Sequence, residues 1–183
     1  MRRRQALLGI ALVAVLLPAP AGAAAPALLP KSIPAIGVVL KVPAGWVESA
    51  PTAKLASQHV VSVYHSQTAT AGYLANLTVI VATVPARVTL REWLLGTQSA
   101  KYLLLGRLTS FRLHGAPGLA YTSSKLDSFH GSPVLISEYG FLRGTRGYLF
   151  TYTSLGTVKL AAPSALFRAS ADTIRFVITP PVA

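Results

Sequence analysis

The stretch from Val134 to Thr153 limits the choice of fold more than any other. It reads Val-Leu-Ile-Ser-Glu-Tyr-Gly-Phe-Leu, then Arg-Gly-Thr-Arg-Gly, then Tyr-Leu-Phe-Thr-Tyr-Thr. Two runs rich in aromatic and β-branched residues flank a short turn bracketed by Gly144 and Gly147, which predicts a β-hairpin. Strand side chains alternate, so Tyr148, Phe150 and Tyr152 share one face and Leu149, Thr151 and Thr153 the other. A lone hairpin is marginal in water, so these strands require more sheet and a covering layer.

The chain has 183 residues, a one-domain length. Part of its positive mean hydropathy comes from the N-terminus. Met1-Arg2-Arg3-Arg4 is a basic start, Ala6 to Leu17 is apolar and uncharged, and Ala21-Gly22-Ala23 has the small residues of a cleavage site. Residues 1–23 therefore read as a secretory signal peptide. A retained anchor is the alternative, but Pro18, Pro20 and Pro26 would break the longer helix it needs. Arg3-Arg4-Gln5-Ala6-Leu7 loosely resembles a twin-arginine signal; three arginines before an apolar core suit the general route as well. The chain has no cysteine, which excludes a lipid-bearing cysteine and disulfides alike. The expected location is periplasmic, extracytoplasmic or extracellular.

Cleavage after residue 23 leaves 14 basic and 5 acidic side chains, a net charge of +9. Such a protein is drawn to anionic surfaces or to an acidic partner, and peripheral membrane contact is compatible with that charge. Nucleic acid does not suit an exported chain with no Lys/Arg cluster after residue 4. The closest basic pairs are Arg87/Arg91 and Arg143/Arg146. A scatter of solvated charges is the plain alternative.

Residues 24–34 hold three prolines among small residues and read as an extended linker before the fold. Ile36 to Val42 suits a first strand, ended by the turn Pro43-Ala44-Gly45 and followed by Trp46. Val47 to Leu55 is polar and reads as loop. His59 to His65 alternates weakly as a strand. Ala75 to Val84 is the longest β-branched run and suits a central strand. Thr89-Leu90-Arg91-Glu92 is a capping box, which predicts a helix from Leu90 to about Leu104. Leu108 to Leu113 and Leu119 to Lys125 read as strands around a turn at 114–118. Gly156 to Ala162 reads as a connector, Ser164 to Thr173 as a helix led by Pro163, and Ile174 to Ile178 as an extended tail. Residues 179–183 fall outside. Strands joined by short turns are antiparallel, so the fold class is α+β: an antiparallel sheet covered by two helices.

The order of these motifs resembles a known group. The strand ending Val42-Pro43-Ala44-Gly45-Trp46 comes first, then Asn76-Leu77-Thr78-Val79 and Thr89-Leu90-Arg91-Glu92-Trp93. Leu113-His114-Gly115-Ala116-Pro117-Gly118-Leu119-Ala120-Tyr121 follows, then Tyr148-Leu149-Phe150-Thr151-Tyr152 and Thr173-Ile174-Arg175-Phe176. Over residues 35–178 this succession resembles the PsbP-like α/β/α sandwich superfamily, which includes PsbP and LpqN-type exported lipoproteins. The resemblance implies a non-catalytic exported protein that assists or stabilises envelope complexes. It carries no catalytic residues across, and the cysteine of the LpqN type is missing.

Chemistry is sparse in the residues themselves. His59 and His65 share a strand face about 20 Å apart, too far for one metal ion. The carboxylates are scattered, and no nucleophile elbow, zinc motif or phosphate loop is present. Asp127-Ser128-Phe129-His130 is the one catalytic constellation to name, with Ser128 or Ser132 as nucleophile, and its loop setting suits turn formation better. No enzyme activity, metal or cofactor is expected. The expected function is an exported binding or assembly protein of the cell envelope, contacting an acidic protein partner or anionic surface. Its candidate binding residues are Arg143, Arg146, Arg112, Trp46 and Trp93. The alternatives are a small apolar-ligand carrier, with its cleft between the sheet and the Leu90–Leu104 helix, and a Ser/His hydrolase.

Overall fold

In the computed structural model, which describes residues 27–97, 103–104, 108–113, 116–126, 131–156 and 161–177, the predicted hairpin forms the middle of a large sheet. The elements, in chain order, are β1 (Leu28–Ile33), a 3-10 turn (Pro34–Ile36), β2 (Val38–Pro43), β3 (Trp46–Ser49), α1 (Ala53–Ser57), β4 (Val60–Ser66), β5 (Asn76–Thr83) and α2 (Leu90–Thr97). Then come β6 (Leu103–Leu104), β7 (Thr109–Leu113), β8 (Ala116–Leu126), β9 (Pro133–Arg143), β10 (Arg146–Leu155), α3 (Ala161–Ala171) and β11 (Arg175–Phe176). The large sheet runs β3-β4-β5-β10-β9-β8-β6, and β7 also pairs with β8. A smaller sheet runs β1-β2-β11. Every strand pairing among the described residues is antiparallel.

Arg143 and Arg146 pair directly across Gly144 and Thr145, and Gly144 has φ +58°. A two-residue loop with a left-handed glycine first matches the twist of the strands it joins. Gly147, expected in the turn, already belongs to β10.

The two faces of the hairpin are covered differently because their side chains differ. One face carries Tyr139, Phe141, Tyr148, Phe150 and Tyr152, all buried. These rings meet edge to face, as between Tyr139 and Tyr152 at 5.7 Å and Phe141 and Phe150 at 5.9 Å. Over them lie the small sheet and α3, which contribute Val38, Leu40, Val42, Phe167 and Ile174 to the same core. The opposite face has no side chain at Gly140 and Gly147, and α2 lies in that space. A Cβ at Gly147 would fall 2.7 Å from the Trp93 ring, and one at Gly140 would fall 2.6 Å from Leu94. Leu94 and Leu149 form the buried centre of this second, smaller core.

Where β11 stops pairing with β2, the end of α3 takes over its edge. Thr173 Oγ1 accepts from the Lys41 amide at 2.6 Å. Ser170 Oγ donates to the Lys41 carbonyl at 2.5 Å, and the Tyr152 hydroxyl lies 2.9 Å from the same Oγ. With the Ser170 proton committed to Lys41, Tyr152 is the donor of that second bond.

Several expectations are corrected. The helix beginning at Leu90 does not reach Leu104: it ends at Thr97, and Leu103–Leu104 pair with β8. Leucines at helical spacing carried the longer reading, but two strand residues pairing with a sheet satisfy the same apolar pattern. Residues 28–33 are not a linker but β1, an edge strand in which Pro30 and its missing N–H are tolerated. Val47 to Leu55 is not loop; it holds the end of β3 and most of α1, whose cap is Thr52 accepting from the Leu55 amide at 3.3 Å. Ala116-Pro117-Gly118 lies in β8 rather than a turn. Ala161 and Ala162 begin α3, and within the extended tail Arg175–Phe176 pair with β2. The signal peptide and Asp127 to His130 lie outside the described residues.

Two substitutions test this packing. Gly147→Ala pushes a methyl into Trp93 and Val84, and the strain should lower stability by about 1–3 kcal/mol in denaturant unfolding followed by tryptophan fluorescence. Ser170→Ala leaves the Lys41 carbonyl and the Tyr152 hydroxyl without this partner, and should cost roughly 1–3 kcal/mol in the same assay.

Candidate functional site

The two closest basic pairs of the sequence meet at one end of the molecule. Arg143 and Arg146 flank the β9–β10 turn. The segment after β5 is tied to that turn by the Val84 amide, which donates to the Thr145 carbonyl at 2.8 Å. This bond brings Arg87 beside the hairpin tip and starts α2, with Arg91, from the same end. The capping box that starts the helix forms as expected. The Thr89 amide and hydroxyl each donate to Glu92 Oε2 at 2.8 Å, and the Glu92 amide donates to Thr89 Oγ1 at 3.2 Å. Those bonds hold the Glu92 carboxyl below its ordinary range.

Arg112 belongs to this end too. It pairs with Pro117, one step before Gly118, which pairs with Phe141 near the end of β9. Arg175 arrives through the small sheet, next to Phe176. The Phe176 ring stands edge-on to Tyr148 at 4.9 Å and Phe141 at 5.7 Å, and the Arg143 guanidinium lies over it at 4.8 Å. Arg143 is thus held on an aromatic platform. Arg87, Arg91, Arg112, Arg143, Arg146 and Arg175 are all exposed. None has a carboxylate within ion-pair distance among the described residues, where the one salt bridge joins Arg168 to Asp172 at 2.8 Å. Glu92 at the start of α2 is engaged by Thr89, and Asp172 is engaged by Arg168, whose guanidinium lies 4.9 Å over the ring of Phe111, the neighbour of Arg112.

The two tryptophans separate. Trp93 lies on the α2 side against Gly147 and Val84, directly behind the arginine end. Trp46 is at the far end of the sheet, pairing with Ser66, and its ring meets Phe167 edge to face at 6.4 Å. Both are half-buried parts of the packing. Trp93 and the Tyr148, Phe150 and Tyr152 rings occupy opposite faces of the sheet, so they do not line one cleft between the sheet and α2. A cleft of about 400 Å³ lies elsewhere, lined by Ser110, Phe111, Arg112 and Gly118. Among the described residues no cluster of His, Asp and Glu could hold a metal ion, and no helix is long and apolar enough to cross a membrane.

Glu138 was overlooked as a special residue. It interrupts an otherwise apolar face of β9, made by Val134, Ile136, Gly140 and Leu142, and that parity was the available signal. Its Oε1 accepts from Thr151 Oγ1 at 3.3 Å, while its buried Oε2 has no partner. Withdrawal from water pushes its pKa up to about 7, against a weaker opposing effect of the Thr151 bond. The folded state therefore favours the protonated acid. Stability is full below the ordinary carboxyl range, falls as pH rises towards 7, and levels off above it. Glu138→Gln should match the parent in thermal stability near pH 5, and exceed it near pH 8 by an amount on the order of 3 kcal/mol.

No protein-family model and no curated protein matches the sequence. Solved structures do. Cyanobacterial PsbP from Synechocystis superposes with a TM-score of 0.58 at 14% identity, over 88% of this chain and 98% of that one. A point mutant of the protein Mog1 gives 0.59 at 11% identity, over 86% of this chain and all of that one. LpqN of Mycobacterium tuberculosis, described as involved in cell envelope biogenesis, gives 0.55 at 12% identity, over 78% of this chain and 83% of that one. The chain thus has the PsbP-like fold, as the order of its motifs implied. At these identities the likeness establishes architecture alone.

Proposed function

We propose that this is an exported, non-catalytic binding or assembly protein of the cell envelope, acting through contact between its arginine end and an acidic partner or anionic surface. The observation that carries the reading is the placement of six exposed arginines at one end of the sandwich, none of them ion-paired among the described residues, while Glu92 and Asp172 are engaged by Thr89 and Arg168. Like charges brought together repel, and no ion pair is drawn from them among the described residues, so a ligand of opposite charge is the natural complement. Export is supported by the basic, apolar and small-residue segments at the N-terminus. The envelope setting is supported by the shared fold with LpqN, whose description places that protein in envelope biogenesis.

The protein should associate with the envelope fraction of its producing cells at low salt and dissociate as salt screens the contact, with a Debye length of about 10 Å at 0.1 M. Arg143→Glu combined with Arg146→Glu should abolish that association while the far-ultraviolet circular dichroism stays unchanged. Co-sedimentation with isolated envelopes measures it, and association that ignores both salt and the double substitution would refute the reading.

A further inference from the structure

We infer that the arginine end recognises carboxylates on the acidic surface of a protein, rather than the head groups of a lipid bilayer. This rests on the reading that the protein works by contact at that end, and names the kind of partner.

The first observation is the choice of cation. Among the described residues, all six exposed cations at this end are arginine. The described lysines lie elsewhere: Lys31 and Lys41 pair with Leu40 and Pro30 in the middle of the small sheet, Lys54 is in α1, and Lys125 pairs with Val134 at the end of β9 away from the hairpin tip. A bilayer draws on lysine and arginine about equally, since both act there as positive charges near an anionic plane. Protein interfaces enrich arginine and deplete lysine, because the planar guanidinium can donate two parallel hydrogen bonds to one carboxylate.

The second observation is that one of these forks is already oriented. Arg143 lies over Phe176, which Phe141 and Tyr148 hold in place. A guanidinium held on a ring loses less freedom when it binds than one on a free stem, and anchors of this kind dominate protein interfaces. Beside it, Val177 follows Phe176 and is 50% exposed, with its amide fixed to the Gly37 carbonyl at 2.8 Å. An apolar side chain next to oriented arginines provides the centre of a contact patch with a charged rim.

The third observation is direction. The described chain begins at Ala27, whose carbonyl accepts from the Ala44 amide at 2.7 Å, and Leu28 pairs with Pro43. From there β2 runs back to Val38, which pairs with Phe176 at the arginine end. Ala27, the first described residue, therefore lies at the end of the small sheet opposite the arginines.

The test uses poly-L-glutamate as a carboxylate probe and phosphatidylglycerol vesicles as the lipid one. The purified protein should bind poly-L-glutamate in a salt-dependent way. Arg143→Lys with Arg146→Lys keeps the charge and removes the forks, and should weaken that binding about tenfold. Charge reversal at Lys31, Lys41 and Lys54 should leave it within about twofold, since those side chains lie outside the contact. Lysine variants that bind poly-L-glutamate as tightly as the parent would overturn the inference, as would vesicle binding tighter than glutamate binding. Association with envelopes that survives while glutamate binding fails would sink this inference and leave the broader reading standing. Loss of both would sink the two together.

Discussion

The alternation along the central hairpin decides how the whole molecule is layered. On one side, five aromatic rings from β9 and β10 stand off the sheet and need a broad cover, which α3 and the small sheet supply. On the other side, Gly140 and Gly147 leave the backbone bare, and a single short helix descends into the gap. A shift of one residue in either strand would exchange these faces, burying rings under α2 and leaving the small sheet over glycine. The tight turn at Gly144 and Thr145 fixes the pairing of Arg143 with Arg146, and so prevents that slip.

The same register gathers charge at one end. Because α2 must reach Gly147 from above, the segment that precedes it is drawn to the hairpin tip, and the Val84 to Thr145 bond secures it. Arg87 and Arg91 arrive there as a consequence of packing. Arg175 arrives because β11 must place Phe176 on Tyr148 and Phe141. None of these steps requires an arginine at the exposed positions. The backbone dictates only that some residue points outwards there, and lysine, glutamate or serine would satisfy it. Repeated choice of the same cation at positions the fold leaves open is therefore a property of the surface rather than of the packing.

Much of this was legible beforehand. Tyr148 to Tyr152 and Ala75 to Val84 announced interior strands because β-branched and aromatic residues alternate or run continuously there. Thr89 and Glu92 announced the start of α2 because both bonds of a capping box are local. What could not be read was decided by partners distant in sequence. Leu103 and Leu104 continue the helical spacing of Leu90 and Leu94, and only β8 draws them into a sheet. Pro30 argues against a strand until β2 is known to lie on one side of it alone. The arginine end was half visible: two pairs stood out by their spacing, but nothing local joined them to each other, to Arg112 or to Arg175. Trp46 and Trp93 look equivalent as isolated indoles, and only topology sends one to each end.

Glu138 shows how the two cores differ in tolerance. The aromatic side buries the hydroxyl of Tyr152 fully but gives it Ser170, and burial still drives its ionisation far above the ordinary range. That costs nothing at physiological pH, since a phenol is neutral there. A carboxyl on the other side has no such latitude: its ordinary range lies below neutrality, and one weak bond to Thr151 leaves its second oxygen orphaned. Near neutral pH the group therefore divides between acid and anion, on the side of the sheet that α2 covers. The arginine end draws Arg87 from the segment leading into α2 and Arg91 from α2 itself, and Arg143 and Arg175 from the aromatic side. That end is consequently built from both layers, with the hairpin as the element common to them.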